Sequence, residues 1–286
     1  MGGSGDEGLA RIDTVVAFAP NGTVELSLVS GSMKISSWDR NQVRVVATTT
    51  GEPTLQFDAS SSHLSLEQSG RHNSRNGVGN ATYEVTVPTG SRASLSAVSG
   101  DIYASGIRGP VDASVVSGRV DARDMGSSLS IEGVSGNMTV SHVANDVRIS
   151  NVSGRVTLAG VGGTLDVETV SGGIAVSGVA GDRVHVTTVS GNIDFTGNPA
   201  RSGRYEFETH SGQTDLHLPS NANAVISVET FSGSVTNDHP GAVRRRNSDA
   251  GDDRTNYDYV VGRGEGAGRL HVDTFSGSVH IFQGNP

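Results

Sequence analysis

The sequence predicts an all-β, single-stranded-type β-solenoid (β-helix) with coils of about 18 residues, each made of two nine-residue halves. Three observations predict it. Ser-Gly returns at Ser99, Ser117, Ser135, Ser153 and Ser171 in steps of 18 residues, then at Ser190, Ser211 and Ser232 in steps of 19, 21 and 21. Apolar residues keep fixed places between these corners. The composition, with 39 glycines and only 5% aromatics, suits a thin core of Val, Ile, Leu and Ala. A unit that cannot bury its own apolar face alone can do so by stacking on copies of itself.

The fixed places emerge when the glycine of each corner is taken as the first residue of a unit. "GRVDARDMGSSLSIEGVS" carries apolar residues at Val120, Ala122, Met125, Leu129, Ile131 and Val134. The next two units carry Met138, Val140, Val143, Val147, Ile149 and Val152, then Val156, Leu158, Val161, Leu165, Val167 and Val170. These are places 3, 5, 8, 12, 14 and 17, and adding nine to the first three gives the last three. Two apolar residues alternating with polar ones is strand spacing. The third apolar residue of each half, at place 8 or 17, follows at the corner. Ser-Gly is then the same corner in every coil: glycine for a positive φ or the close approach of the next coil, serine for turn amides. The general chirality of β-crossovers favours a right-handed coil.

Along the chain, residues 1–9 read as an expression scar or flexible lead, with a native signal peptide expected to be missing. Residues 10–286 read as a single elongated solenoid domain. "GSMKISSWDRNQVRVV" places Met33, Ile35, Trp38, Val43 and Val45 near the coil template, with an early corner at Ser30-Gly31. Residues 67–80 are a polar loop. "YEVTVPTGSRASLSAVSG" from Tyr83 parallels "QTDLHLPSNANAVISVETFSG" from Gln213. Phe195, Tyr205, Phe207, Phe231, Phe275 and Phe282 suit a widening core or an end cap. Residues 236–269 interrupt the register as an insertion, with a short strand at Tyr257 to Val261. The last corner, Ser276, follows Ser232 after 44 residues.

The net charge of −9, from 21 basic and 30 acidic residues, disfavours nucleic acid, which needs a basic face. The one basic run, Arg244, Arg245 and Arg246, is read as a solvated loop. No cysteine is present, which removes disulfides and thiolate metal sites. No apolar run is long enough to span a membrane.

Each candidate chemistry competes with a structural role for the same residues. A nucleophilic serine is singular and has a base. Here serine repeats at every corner, and only Ser211 has a neighbouring histidine, His210. A repeating calcium column would need an acid after each corner, but Asp101, Arg119, Asn137, Arg155, Gly173 and Asn192 stand there. One isolated ion near Asp252, Asp253 and Asp258 stays open. His63, His72, His142, His185, His210, His217, His239, His271 and His280 form no metal motif, although His210 and His217 could converge across a coil. Outward slots hold acids, namely Asp121, Asp194, Asp215, Glu132 and Glu168, but neutral residues replace them in neighbouring coils. "GVGG" (Gly160 to Gly163) and "GRGEG" (Gly262 to Gly266) open no helix, so neither cradles a phosphate.

The recurring "TVSGGIAV" and "TVSGNIDF", the variant "TFSGSV", the strand ends "VPTG" and "LPSN", and the late "VGRGEGAGRLHVDTFSGSVHI" carry a resemblance. The chain resembles the bacterial putative-adhesin domain family, a β-solenoid domain of unknown function, over roughly residues 10 to 284. The resemblance implies an exported or envelope-associated domain and supplies no catalytic motif. The expectation is a non-enzymatic, extracytoplasmic scaffold or binding module of the cell envelope, in the periplasm, at the surface or secreted. Its partner would be an envelope glycan, a lipid headgroup or a protein, and homo-oligomerisation is left open. No catalytic, cofactor-binding or metal-binding residue is assigned, and no cofactor is expected. The alternatives are a solenoid that self-assembles end to end as a filament, and a glycan lyase or hydrolase on a β-helix.

Overall fold

The alternation of apolar and polar residues is realised as strands throughout the computed structural model, which describes residues 11–50, 54–69, 79–240, 242–245 and 255–284. Among the described residues there is no helix. The chain divides into two units, residues 1–136 and 137–286.

In the first unit the repeat is a parallel ladder. Strand Leu129–Ser135 pairs with Val111–Ser117, setting Ile131 opposite Ala113 and Ser135 opposite Ser117. Val111–Ser117 pairs in turn with Arg92–Ser105, setting Ser117 opposite Ser99. Strand Thr23–Trp38 lies against the same long strand, with Ser30 opposite Ser99 and Gly31 opposite Gly100. The early Ser-Gly corner therefore stacks directly on one 69 residues later. Its other edge is occupied by His63–Ser69 and Ala81–Pro88. Beyond these the pairing turns antiparallel: Gln42–Thr49 on Ala81–Pro88, Arg11–Ala17 on Gln42–Thr49, and Thr54–Ala59 on His63–Ser69.

Two expectations are corrected here. Val43 and Val45 are buried, but on this antiparallel layer rather than on a coil. Trp38 is only half-buried; its indole donates to the Gln42 carbonyl at 2.6 Å, and Arg40 stacks on the ring at 5.1 Å. Residues 67–69 of the expected loop belong to strand His63–Ser69, and residues 70–78 lie outside the described residues.

The second unit repeats the parallel ladder on two sets of strands. One set runs Val147–Ser153, Leu165–Ser171, Arg183–Ser190, then the first half of Arg204–Leu218. The other runs Met138–Val143, Val156–Val161, Ile174–Ser177, Ile193–Thr196, then the second half of Arg204–Leu218. The order then departs from the sequence. The C-terminal strand Gly268–Gln283 pairs with Arg204–Leu218, placing Ser276 opposite Ser211. Strands Ala224–Thr230 and Ser234–Asn237 lie beyond it. The outer edge of Ala224–Thr230 is covered by antiparallel Thr255–Val261, which carries Ala242–Arg245. The short strand expected at 257–261 is present, and Arg244 and Arg245 stand in an edge strand rather than a loop. Arg246 lies outside the described residues.

Five of the six apolar places face the core. Val120, Ala122, Met125, Leu129 and Ile131 are all at most 2% exposed, whereas Val134 is 49% exposed. The backbone explains the difference. Place 7 is left-handed in successive coils, at Gly106, Asp124, His142, Gly160 and Gly178. That residue breaks the two-residue alternation and turns place 8 inward. The second half has no such residue, so alternation simply continues: place 16 faces in and place 17 faces out. In the second unit place 16 is a buried polar column of Asn151, Thr169, Thr188, Thr209, Thr274 and Thr230, in which Thr169 and Thr188 hydroxyls bond at 2.9 Å.

The corner glycines meet both expected demands. Gly172 has φ +146, and a Cβ on it would overlap the Gly154 carbonyl oxygen. The residue after the corner has a structural task as well. The Asp101 carboxylate accepts the Arg119 N–H at 2.8 Å, Asn137 accepts the Arg155 N–H at 3.0 Å, and Asn192 accepts the Gln213 N–H at 3.0 Å. Asp or Asn in one coil thus caps the backbone of the next, whose own residue there is free to be Arg or Gln.

Candidate binding surfaces

The outward residue at place 17 creates a ridge. Val98, Val116 and Val134 in the first unit are 49–51% exposed. In the second unit Val152, Val170 and Val189 are 47–49% exposed, and His210, Phe275 and Phe231 continue the column. The three rings stack: His210 on Phe275 at 4.8 Å and 8°, Phe275 on Phe231 at 4.9 Å and 3°. Apart from Val15, every large exposed hydrophobic residue recorded among the described residues lies in these columns. Soluble proteins scatter such residues singly; gathering them in a line is the exception. Serines 153, 171, 190, 211 and 276 flank the second unit's ridge. Phe195, Tyr205 and Phe207, by contrast, are fully buried and pack on one another at 5.2–5.7 Å. The six C-terminal aromatics therefore divide between core and surface.

A second surface is the outer face of the strands Val147–Ser153 to Thr255–Val261. Register aligns Arg148, Asp166, His185, Glu206, His271, Ser227 and Asp258 in one row. Arg148 approaches Asp166 at 3.2 Å, His185 approaches Glu206 at 3.6 Å, and Arg204 holds Glu206 at 2.6 Å. The adjacent row sets Glu208, Asp273 and Glu229 side by side on three neighbouring strands. Ligand atoms of Glu229, His271 and Asp273 lie within 4.8 Å of one another, and all three residues are half-buried.

The remaining candidates take structural or separate places. Asp121 is locked to Arg123 at 2.6 Å. Glu168 lies 3.8 Å from Arg148. Glu132 stands opposite Ser114. Asp194 and Asp215 are opposite one another, with His217 and His280 at 3.8 and 3.7 Å from their respective carboxylates. His210 and His217 do not converge: one stacks on Phe275, the other on Phe282 at 4.9 Å. Asp258 accepts the Ser227 hydroxyl at 3.1 Å, while Asp252, Asp253 and His72 lie outside the described residues. The "GRGEG" stretch lines an open pocket of about 720 Å³ with Asn198, Arg201, Asn223, Arg263 and Glu265. There Asn223 accepts the Arg263 and Gly264 N–H groups at 3.1 and 2.9 Å.

The chain matches the Toastrack DUF4097 family over residues 21–282. It belongs to that family. No curated protein matches this Toastrack chain. Two solved structures are similar to it. One is a putative cell adhesion protein from Clostridium sporogenes ATCC 15579, 13% identical, with 96% of this chain and 99% of that chain covered and a TM-score of 0.27. The other is a putative adhesin from Bacteroides fragilis NCTC 9343, 8% identical, with 95% and 97% covered and a TM-score of 0.34. Among the described residues, no helix of the Toastrack chain is long and apolar enough to cross a membrane.

Reading the sequence missed two features of this Toastrack surface. The ridge is not visible in residue order because place 17 is as apolar as the core places. The Glu229, His271 and Asp273 group was missed because its members come from two strands 42 residues apart. A usable signal existed in "LHVDT", where His271 and Asp273 alternate and so share a face.

Proposed function

We propose that this chain is a non-enzymatic, extracytoplasmic binding module that engages an extended envelope glycan along the ridge of its second unit. The observation that carries this reading is the exposed column Val152, Val170, Val189, His210, Phe275 and Phe231. Sugar rings present apolar faces edged by hydroxyls. A line of branched and aromatic side chains suits the faces, and the flanking serines suit the hydroxyls. Each contact is weak, but a polymer meets several at once at the strand spacing of about 4.8 Å, which multiplies affinity.

The test is binding of the purified chain to envelope glycans, peptidoglycan and anionic lipid vesicles, beside the double variant Phe231→Ser, Phe275→Ser. Both side chains are exposed, so the fold should survive and circular dichroism should match. Saturable glycan binding weakened about tenfold or more in the variant supports the reading. Binding only to lipid, or glycan binding that the variant leaves unchanged, overturns it. The antiparallel strands beside Ala224–Thr230 and Ala81–Pro88 weigh against a filament, because they cover edges that would otherwise template another coil.

A further inference from the structure

We propose that the pocket between the turns 198–203, 219–223 and 262–267 takes the charged end of an acidic sugar, a uronate or a sugar phosphate, on Arg201 and Arg263. This goes beyond the ridge reading and does not depend on it. The ridge residue His210 lies six residues further along the strand that Arg204 opens, roughly 20 Å away.

The three turns serve neighbouring strands of the second unit. The first leads into Arg204–Leu218, the second leads from it into Ala224–Thr230, and the third leads into Gly268–Gln283. Hydrogen bonds tie the turns to one another. The Ser202 N–H donates to the Gly266 carbonyl at 3.3 Å, and the Gly268 N–H donates to the Asn223 carbonyl at 3.0 Å. The Asn223 side-chain amide donates to the Glu265 carbonyl at 2.9 Å, while its oxygen accepts the Arg263 and Gly264 N–H groups. The Tyr205 hydroxyl accepts the Ala200 N–H at 2.8 Å and donates to the Gly181 carbonyl at 2.9 Å. The walls are therefore fixed before a ligand arrives, which lowers the cost of ordering them. Gly266, at φ +62, lets Arg201 lie against the third turn: a Cβ there would come within 2.9 Å of the Arg201 Nε. The space of about 720 Å³ falls in the range of small-ligand sites.

Charge selects the ligand class. Arg201, Arg263 and Glu265 all line this space, yet no acid makes an ion pair with either arginine among the described residues. Beside the first and third turns, Arg183, Arg204 and Arg269 stand opposite one another on three adjacent strands. Arg204 holds Glu206 at 2.6 Å; Arg183 and Arg269 make no ion pair among the described residues. Like charges in register repel, so this part of the second unit gathers positive charge within a chain of net charge −9, and an anion relieves the cost. A guanidinium grips a carboxylate or a phosphate through two parallel hydrogen bonds. Glu265 and Asn198 line the same pocket and suit hydroxyls, the carboxylate as acceptor and the amide as both donor and acceptor. An anion that also carries hydroxyls uses both sets of groups. A bare anion meets Glu265 with nothing to offset the repulsion, and a neutral sugar leaves both arginines unmatched.

The experiment is titration of the full chain with sodium glucuronate, glucose 6-phosphate, inorganic phosphate and glucose, followed by amide chemical shifts. The expected result is saturable shifts centred on residues 198–203, 220–223 and 262–267 with glucuronate or glucose 6-phosphate, and none with glucose. The tighter of the two acids identifies the source of the charge. Arg201→Gln combined with Arg263→Gln should weaken binding about tenfold or more. Both side chains are exposed, so the fold should be kept. Added salt should also weaken binding, because here the two guanidiniums and not the net charge set its sign. The ridge variant Phe231→Ser, Phe275→Ser should leave it unchanged, which separates failure here from failure of the ridge reading. No saturable shift with either acid, shifts centred elsewhere, or binding retained by the double arginine variant would each overturn the proposal. Glucose binding as well as the acids would overturn the role of the arginines. Inorganic phosphate binding as tightly as glucose 6-phosphate would overturn the assignment of a sugar.

Discussion

Gly172 shows how much of this fold rests on single atoms. Its φ of +146 and the Gly154 carbonyl against its Cα leave no room for a side chain. Gly172→Val should cost about 1–3 kcal/mol as backbone strain, with more from the overlap. Thermal denaturation would show a lowered midpoint, while an unchanged midpoint would mean the corner is softer than its geometry. Tyr83 tests burial instead of shape. Its hydroxyl donates to the Ser27 carbonyl at 3.1 Å. Burial first, and the nearby Glu67 carboxylate second, push its pKa well above the ordinary tyrosine value. In the unfolded chain the phenol ionises near pH 10. The stability it contributes is therefore full below pH 10 and drains away as pH rises further. Tyr83→Phe should lose about 1 kcal/mol at pH 7 through the missing hydrogen bond. That deficit should shrink between pH 10 and 11 in urea denaturation. A deficit that stays constant with pH would show that the phenol ionises as easily in the folded chain.

At the scale of elements, the antiparallel strands have a task that propensity alone does not reveal. Parallel coils leave an open edge, and an open edge recruits further strands. Thr255–Val261 closes the edge of Ala224–Thr230, with Tyr259 buried opposite Ile226. Proline at that point removes a ladder donor and disturbs the strand. Tyr259→Pro should release the covering strand and cause concentration-dependent self-association, seen by light scattering. A variant that stays as monodisperse as the parent would show that Ala224–Thr230 needs no cover. The half-coil asymmetry also belongs to this scale. One left-handed residue at place 7 turns a strand corner inward, and its absence from the other half sends the valine at place 17 into solvent.

For the molecule as a whole, the proposed glycan binding rests on regular spacing. Six ridge positions in the second unit, at about 4.8 Å per strand, span roughly 24 Å. Affinity for a glycan should therefore climb with chain length and level off once the ligand covers that distance. Oligosaccharides of increasing length, titrated by calorimetry, would show the plateau. A disaccharide that binds as well as a long polymer would point to a single local pocket, such as the one beside Arg201 and Arg263. The net charge of −9 adds that binding of a neutral glycan should be nearly insensitive to salt. Binding of an acidic one should improve as salt screens the repulsion.

The sequence by itself determined the coil. An 18-residue step and period-two alternation leave few ways to bury a thin aliphatic core, so strands, corners and the glycine requirement were legible from residue order. The membership of the core at place 17 was not, because apolarity is equal on both sides of a corner and only the backbone path assigns the side. Position in the stack was decided by tertiary structure as well. Ser276 sits on Ser211 rather than after Ser232, since the returning strand Thr255–Val261 carries the chain back across the outside before the last strand enters. The Glu229, His271 and Asp273 group exists for the same reason. Adjacency between strands is set by hydrogen-bonded register, and register across a long return is invisible in the order of residues.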